Sequence, residues 1–384
     1  MPKAILNISL PSDMQIGPGC FKRLGRKTKD HGMKHPLLVC DQTMVRLGLA
    51  QQARDNLEGA GVQCTVFDGC PENPRDETVA AATSLYEEKG CDGLVALGGG
   101  SVIDSAKAVR VVGAQGGAAV DYDVKQGGIK KIGRELPPMI AVPTTSGTGS
   151  EATLASVIID TARQVKFTIF SPYLMPSGSL LDPELTVSMP PGVTAATGFD
   201  ALIHALEAYT SNMAPNPVAD GLCRTNFELV GKSFLRAVKD GEDLEARTDM
   251  AVASMLGGVV LTMKGLGAVH ALSHQLSSFH GIPHGTANAL MLPHVMRFNA
   301  PEAGERYREA LGFMGLAATS AEDAADRMAE LVAESGLPTR LQDLGVKEDD
   351  LERLAEEALA DISLPVNPVP CTREDLIALY RKAL

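Results

Sequence analysis

Paired cysteines and an excess of positive charge are both missing from this 384-residue sequence. The seven cysteines are scattered and none forms a C-x-x-C pair, which predicts free thiols and a reducing, cytoplasmic location. Aspartate and glutamate number 47 against 35 lysines and arginines, so the formal net charge at pH 7 is −12. We therefore expect no electrostatic binding to nucleic acid or to an anionic membrane surface.

Long apolar runs are missing as well. A helix needs about 20 predominantly apolar residues to span a bilayer. The most apolar uncharged stretch, Met250–Met263, is shorter and predicts a buried core helix. The first ten residues contain one lysine and a short apolar patch, a pattern too weak for a secretory signal. The segment Ala4–Leu10 instead resembles an exposed strand edge, which predicts a homodimer or a larger homo-oligomer.

What the sequence does contain is a first half in which short apolar runs alternate with helical patterns. The apolar runs include Pro36–Cys40, Gly93–Leu97 and Pro137–Pro143. Strand–helix alternation with continuously apolar strands predicts a parallel, Rossmann-like sheet covered on both faces. Two further strands, near residues 157–160 and 165–170, are expected to pair in antiparallel fashion.

The pattern changes at Pro190 and Pro191, since proline favours the first turn of a helix. Helical periodicity continues from there in six segments: Thr194–Tyr209, Pro217–Lys239, Leu244–Met263, Leu266–Phe279, Thr286–Phe298 and Ala321–Ser335. Single hydrophobic cores stop growing at about 250–300 residues, so a chain of this length predicts two domains. We place an α/β domain at residues 1–188 and an all-α domain at residues 189–384.

Four residues of the helical half have the character of a metal site: Asp200, His204, His270 and His284. The spacing of four between Asp200 and His204 puts both on one face of a helix. Five of the eight histidines lie between His270 and His294. Three imidazoles and one carboxylate suit Fe(II) or Zn(II), and such a cation could polarise a substrate oxygen. A buried polar network or a pH-sensitive patch is the alternative.

Residues Gly98–Ser101 follow an apolar strand and open a helix, as phosphate-binding loops do. The segment is neither G-x-G-x-x-G nor a P-loop, so a simple turn is the alternative. Asp41, at the end of the Pro36–Cys40 strand, could bind a ribose diol or cap the next helix. Pro143–Glu151, rich in hydroxyl and glycine residues, also follows a strand, and is either a second loop at that sheet edge or a surface loop.

Taken in order along most of the chain, these motifs resemble the iron-dependent (group III) alcohol dehydrogenases, the family of lactaldehyde reductase and 1,3-propanediol dehydrogenase. The resemblance rests on Gly98–Lys107, Pro143–Glu151, Ala195–Tyr209 and Gly267–Asn299. It implies an α/β nucleotide-binding domain followed by a helical metal-binding domain, a fold of the dehydroquinate synthase type.

The resemblance also implies a role for individual residues. Asp200, His204, His270 and His284 would bind the catalytic Fe(II), or Zn(II), and His274 would act beside the metal as a catalytic residue without binding it. Asp41 would favour NAD by repelling the 2′-phosphate of NADP. The residues implied at the NAD site are Asp41, Asn73, Gly99, Gly100, Ser101, Thr144, Thr145, Thr148 and Lys166.

The expected function is reversible hydride transfer between a primary alcohol or diol, or its aldehyde, and NAD(H). A dehydroquinate synthase-like lyase is one alternative, although residues 200–299 contain few basic side chains for a phosphorylated substrate. A non-enzymatic, metal-gated nucleotide sensor is another alternative, but it would make no use of a metal and a nucleotide arranged for hydride transfer. The sequence does not specify the alcohol, and His280 is either part of the pocket wall or a structural histidine.

Overall fold

The computed structural model of the chain describes residues 8–11, 13–163 and 165–384. They divide into two compact units, one of Leu10–Thr145 with Ser150–Thr186, the other of residues 8–9 and Ser146–Gly149 with Val187–Leu384. The domain limits at residue 188 stay a prediction, and nothing in the sequence pattern indicates that Ser146–Gly149 groups with the helices. Of the apolar N-terminal segment expected to pair subunits, residues 4–7 lie outside the described residues.

The first unit contains a six-stranded sheet in which every pairing is parallel. The strands of this unit are β1 (Met14–Ile16), β2 (Leu37–Cys40), β3 (Thr65–Phe67), β4 (Leu94–Gly98), β5 (Met139–Pro143), β6 (Ala155–Asp160), β7 (Val165–Phe170) and β8 (Gly178–Leu181). The order across the sheet is β1-β8-β5-β4-β2-β3, and β6 and β7 form a separate antiparallel pair.

In the described part of this unit the α-helices are α1 (Leu24–Asp30), α2 (Gln42–Arg46), α3 (Leu49–Gly59), α4 (Asp76–Glu88) and α5 (Gly100–Gln115). Strands β2, β4 and β5 are buried along their whole length. Because successive side chains of a strand point to opposite faces, Leu37 enters a core cluster with α4 and α5, while Leu38 enters one with α1 and α3. Both faces of the sheet are therefore covered, as the continuously apolar strands predict.

The strand order reverses once, and this locates the ligand-binding edge. β3 pairs with one side of β2, and β4 pairs with the other side. In open α/β sheets, ligands bind outside the carboxyl ends of the strands at such a reversal. Asp41 follows β2 and Gly99 follows β4, so both lie at this edge.

The described residues from Val187 onward form helices and helical turns without strands. The helices are α6 (Pro191–Thr210), α7 (Pro217–Lys239), α8 (Leu244–Lys264), α9 (Ala268–His280), α10 (His284–Phe313), α11 (Ala321–Glu334), α12 (Leu351–Leu359) and α13 (Arg373–Ala383). α6 is buried along nearly its whole length and packs against α7, α8 and α10. The predicted fold class, a parallel sheet followed by a helical part, is confirmed.

The apolar stretch Met250–Met263 lies within α8, and most of its residues are buried. In the described part of the chain, each helix taken singly is too short or too polar to cross a bilayer. The consecutive helices α8 and α9 reach the necessary length and hydropathy only together, across a bend of 110°.

Candidate functional site

Helix α6 positions the first two candidate ligands. Asp200 and His204 are one turn apart and both are buried. Asp200 Oδ1 lies 3.5 Å from His204 Nε2. The predicted pairing on one helix face is therefore present, with both ligand atoms turned toward the same point.

The other two candidate ligands come from the next helices. His270 lies in the first turn of α9, and His284 is the first residue of α10. Their Nε2 atoms lie 3.5 and 3.6 Å from the same Asp200 Oδ1. The ligand atoms of Asp200, His270 and His284 are all within 4.8 Å of one another. His204 adjoins this triad through Asp200, and its ring stacks on His270 with a centroid distance of 4.8 Å.

Close helix–helix approach brings these residues together. A Cβ atom on Gly285 would lie 2.1 Å from the carbonyl oxygen of Ala196, so the start of α10 touches the α6 backbone directly. A Cβ on Gly257 of α8 would lie 3.1 Å from His204 Cβ. Glycine at these positions lets the helix backbones approach closely, and His284 thereby reaches the ligands on α6.

Glu207, a residue that the sequence analysis does not select, orients His270. Its Oε2 lies 2.6 Å from His270 Nδ1, and its Oε1 accepts a hydrogen bond of 2.7 Å from the Val269 N–H. With Nδ1 held by the carboxylate, Nε2 is the ring nitrogen of His270 that faces Asp200 and that could bind a metal. A buried carboxylate behind a histidine is the arrangement that orients metal-binding imidazoles.

Asn288, on α10 one turn after His284, is a second residue of the site that the sequence pattern does not indicate. Its Nδ2 donates to Asp200 Oδ1 at 2.9 Å and lies 3.1 and 3.3 Å from the Nε2 atoms of His284 and His270. Its Oδ1 is buried and has no hydrogen-bond partner among the described residues. The centre thus concentrates polar atoms that the protein does not fully pair, as expected of a site that holds a further group.

The electrostatics favour a cation at this point. Burial opposes ionisation of Asp200, but His204, His270 and His284 outweigh it and hold the pKa of that carboxyl well below its usual range. Burial lowers the pKa of His204 to about 4, so its imidazole is neutral and able to bind a metal. Burial also disfavours charge on His270, yet Glu207 and Asp200 raise its pKa to about 9. Three imidazoles and a carboxylate, with positive charge stabilised among them, fit Fe(II) or Zn(II).

His274, one turn after His270, is not part of the triad. Its ring stacks on that of His284 with centroids 5.2 Å apart, and its Nδ1 lies 2.9 Å from Asp361 Oδ2. Asp361 is itself held by a 2.9 Å hydrogen bond from the Ser363 N–H. The catalytic role of His274 stays a prediction, and Asp361 is a third residue that the sequence analysis does not select.

Two further histidines of the helical unit are not members of the triad. His280 ends α9, with Nε2 3.7 Å from Asp350 Oδ2. His294 lies on α10, and burial lowers the pKa of its imidazole to about 4. The contact with Asp350 is compatible with His280 as part of the pocket wall and with His280 as a structural histidine.

The glycine segment of the first unit has the local structure of a phosphate loop. Gly99 precedes α5 and Gly100 is its first residue, so backbone N–H groups of the first turn are available to an anion. The Thr144 N–H donates to Gly98 O at 3.0 Å. A Cβ on Gly99 would lie 3.3 Å from Thr145 Oγ1. The ends of β4 and β5 therefore bring the glycine loop against the start of the hydroxyl-rich segment.

The other residues implied at the NAD site lie on several different elements. Asp41 caps α2, because its Oδ1 accepts from Thr43 N at 2.7 Å and from Met44 N at 3.0 Å. Its second carboxylate oxygen has no hydrogen-bond partner among the described residues, so capping and ribose binding are compatible. The remaining residues are Ser101, whose Oγ donates to Glu72 O; the exposed Asn73; Lys166, on β7; and Thr148, in the segment that groups with the helices.

Comparison with known proteins places the chain in one family along its length. Residues 11–183 match the family described as iron-containing alcohol dehydrogenase, and residues 194–384 match the C-terminal part of the Fe-containing alcohol dehydrogenase family. Alcohol dehydrogenase 4 of Schizosaccharomyces pombe is 38% identical over 98% of this chain and 88% of its own length. The NAD-dependent methanol dehydrogenase of Bacillus methanolicus is 36% identical over 98% of this chain and 100% of its own.

The solved structure of a 1,3-propanediol oxidoreductase is similar throughout. Its TM-score is 0.94 at 36% identity, and the match covers 99% of this chain and 100% of that one. These relatives support neither a dehydroquinate synthase-like lyase nor a nucleotide sensor. The resemblance found in the sequence motifs is confirmed, and the chain belongs to the iron-containing alcohol dehydrogenase family.

Proposed function

We propose that this protein catalyses reversible hydride transfer between a primary alcohol or diol, or the corresponding aldehyde, and NAD(H), with Fe(II) or Zn(II) as its metal. The main support for this proposal is that the Nε2 atoms of three histidines converge on Asp200 Oδ1. Support also comes from the family to which the chain belongs and from its relative named as NAD-dependent.

Asp200, His204, His270 and His284 would hold the cation, which when bound acts as a Lewis acid on the substrate oxygen. Glu207 would keep the Nε2 atom of His270 directed at it. His274 is anchored through Nδ1 by Asp361, so its Nε2 is the atom that would exchange a proton with the substrate hydroxyl.

The nucleotide would bind at the carboxyl edge of the parallel sheet. α5 is 16 residues long and offers its N-terminal N–H groups to a pyrophosphate, with Gly99, Gly100 and Ser101 at close approach. Thr144 and Thr145 would add hydroxyl donors, and Asp41 would accept from the ribose diol. Asn73, Thr148 and Lys166 are proposed at this site on the strength of the family resemblance.

Two further properties belong to the proposal. All seven cysteines are free, which supports a reducing, cytoplasmic location. Assembly as a homodimer or a larger homo-oligomer is proposed from the apolar N-terminal segment.

The test is alcohol-dependent formation of NADH by protein loaded separately with Fe(II) and with Zn(II). A panel of short primary alcohols, diols and aldehydes identifies the substrate class. The proposed enzyme reduces NAD with at least one alcohol and oxidises NADH with the matching aldehyde. A lyase gives no net NADH, and a nucleotide sensor binds NADH without turnover, so either result would contradict the proposal.

Cofactor preference provides a second measurement. We expect the wild type to use NAD in preference to NADP, because the Asp41 carboxylate repels a 2′-phosphate. Asp41→Gly should narrow or reverse the ratio of kcat/KM for the two cofactors. A wild type that uses NADP better would show that Asp41 does not face the ribose.

A further inference from the structure

Lys107 is a fully buried cation that the proposed chemistry does not use. It lies on α5, two turns after the glycine loop. Its Nζ donates to the carbonyl oxygens of Ser150, Thr153 and Ala155 at 2.6, 3.0 and 2.8 Å, and lies 2.8 Å from Thr153 Oγ1. An ammonium has three N–H donors, so this environment saturates it.

The charge on Lys107 is retained at neutral pH. Burial lowers the pKa of its ammonium to about 8 and the nearby Arg110 acts in the same direction, while Asp104 and Glu151 oppose them. Burial raises the pKa of Glu151 to about 7, and Lys107 partly offsets this. A charged donor to neutral carbonyls makes a stronger hydrogen bond than a neutral one, so these contacts hold the backbone firmly.

Asp104, one turn earlier on the same helix, binds the same stretch of chain. Its Oδ1 accepts from Ser150 Oγ, and its Oδ2 accepts from the Val157 N–H at 2.9 Å. Its own backbone oxygen accepts from Ser156 Oγ at 2.8 Å. Two side chains of α5, the Lys107 ammonium and the Asp104 carboxyl group, therefore form hydrogen bonds with the chain from Ser150 into β6.

These contacts fix one end of the hydroxyl-rich segment 144–149. The other end is fixed by the hydrogen bond from Thr144 N to Gly98 O. The two anchors lie on consecutive elements, since Gly98 ends β4 and Lys107 lies on α5. The residues on either side of the segment are thus tied to the strand and the helix that flank the glycine loop.

We propose that Lys107 is a positioning residue for the nucleotide: its ammonium fixes the chain that follows Thr144 and Thr145, so that these threonines and the glycine loop present their donors to NAD(H) together. The inference rests on the proposed function, because it assigns Lys107 to the binding of that cofactor. Lys107 itself touches no part of the cofactor, and its effect passes through the carbonyls of Ser150, Thr153 and Ala155.

A second buried lysine provides a matched control. Lys264, at the end of α8, donates to the carbonyl oxygens of Met213 and Ala214 at 2.9 and 3.0 Å. It is likewise buried, and burial lowers the pKa of its ammonium. Lys264 makes the same kind of bond in the helical unit, without connection to the glycine loop. Replacing Lys264 therefore measures how far the loss of a buried ammonium alone lowers stability and NADH affinity.

The experiment measures the dissociation constant for NADH by fluorescence titration, together with metal content and thermal midpoint, for wild type, Lys107→Met, Thr153→Val and Lys264→Met. Lys107→Met should weaken NADH binding roughly tenfold or more, because a lost buried charged hydrogen bond is of that order. Its metal content should be unchanged, and KM for NAD should rise by a larger factor than kcat falls. Thr153→Val, which removes one acceptor, should weaken binding less.

Lys264→Met should lower the thermal midpoint and leave the NADH dissociation constant as in wild type. The inference is overturned if Lys107→Met binds NADH like wild type, or if Lys264→Met weakens binding as much. Should Lys107→Met fail to fold, Lys107→Gln replaces it, because the amide is similar in length but lacks the ammonium charge, and wild-type NADH affinity in that variant overturns the inference equally. Absence of NADH binding by the wild type would be a different failure, since it removes the proposed function itself.

Discussion

Glu207 accepts hydrogen bonds from the His270 ring and from the backbone of Val269. One carboxylate thus fixes both the orientation of a candidate metal ligand and the first turn of the helix that carries it. Gly267 permits this approach, because a Cβ at that position would lie 2.9 Å from Glu207 Oε1. The carboxylate also places a second negative charge behind the metal site, in addition to Asp200.

We predict that Glu207→Gln lowers metal affinity roughly 10–100-fold, the usual cost of removing a partner behind a metal-binding histidine. The amide keeps the size of the side chain but loses the charge that favours the Nδ1–H form of His270. Competitive titration with a chromophoric chelator measures the affinity. Glu309→Gln is the control, because Glu309 is exposed and accepts from Tyr209 Oη at 2.9 Å, away from the ligands. Equal affinities in Glu207→Gln and wild type would contradict the assignment.

His270 and His274 are one helical turn apart and are expected to differ in function. His270→Ala should lose its metal, because His270 is part of the compact triad. His274→Ala should retain the metal and lose turnover, with one limb missing from its pH profile, because the proton exchange at Nε2 disappears. Elemental analysis and pH-dependent kinetics test the pair. Loss of metal from His274→Ala as severe as from His270→Ala would place His274 among the ligands.

The spacing of residues locates the four candidate ligands but not the groups that orient them. Asp200 and His204 share a helix face, which the sequence pattern predicts directly. Glu207 and Asp361 are held to His270 and His274 across 63 and 87 positions of the chain. A partner that distant leaves no periodic signal, so these two residues emerge only from the structure. Asn288 is one turn from His284, but an asparagine at that spacing is an ordinary polar helix residue, and its bond to Asp200 is seen only in the structure.

At the scale of elements, prediction succeeds where periodicity is long and uninterrupted. Helix α7 has the predicted bounds, Pro217–Lys239. α10 runs on to Phe313, well beyond the predicted end at Phe298, and contains Pro293 and Pro301. Proline usually ends a helix, but here the helix continues on both sides of each one. Packing of α10 against α6 and α11 stabilises it where local propensity does not.

The sequence pattern does not indicate strand β8, and the reason differs from that for the end of α10. It comprises only Gly178–Leu181, too short and too rich in small residues to give a strand pattern. A Cβ on Gly178 would lie 2.7 Å from Lys27 Cε, so a larger residue there would displace that side chain. Pairing of β8 with β5 and β1 extends the sheet. A contact of this kind is a property of the assembled sheet and is not encoded in the local sequence.

The contact between α10 and α6 leads to a prediction about Gly285. Gly285→Ala should destabilise the protein by about 1–3 kcal/mol, because the added methyl group would overlap Ala196 O. It should also weaken metal binding, since displacement of this turn moves His284. Gly312→Ala, on the same helix, meets nothing within 4 Å and should stabilise by about 0.5–1 kcal/mol. Urea unfolding and metal titration test both variants. Undiminished metal affinity in Gly285→Ala would show that the contact does not position His284.

At the scale of the whole molecule, the two candidate sites draw on different compact units. Asp41, the glycine loop, Thr144 and Thr145 belong to the unit with the parallel sheet. Asp200, His204, His270 and His284 belong to the helical unit. The ligand-binding edge of the sheet is set by strand order, whereas the metal centre is set by helix contacts. Each site therefore has its own structural origin.

This division predicts how the protein responds to loss of its metal. Chelation should abolish turnover and lower the thermal midpoint, because a ligand that binds only the folded state contributes about 2.7 kcal/mol at 100 times its dissociation constant. NADH binding should persist in the metal-free protein, since the residues proposed to bind its pyrophosphate and ribose lie outside the helical unit, with Thr148 as the one exception. Calorimetry and NADH titration before chelation, after it and after return of Fe(II) or Zn(II) give the measurement. Recovery of turnover with the metal is the control for irreversible unfolding. If NADH binding vanished with the metal and returned with it, the cofactor would depend on the metal centre for its affinity, and the assignment of its binding to the sheet edge would be wrong.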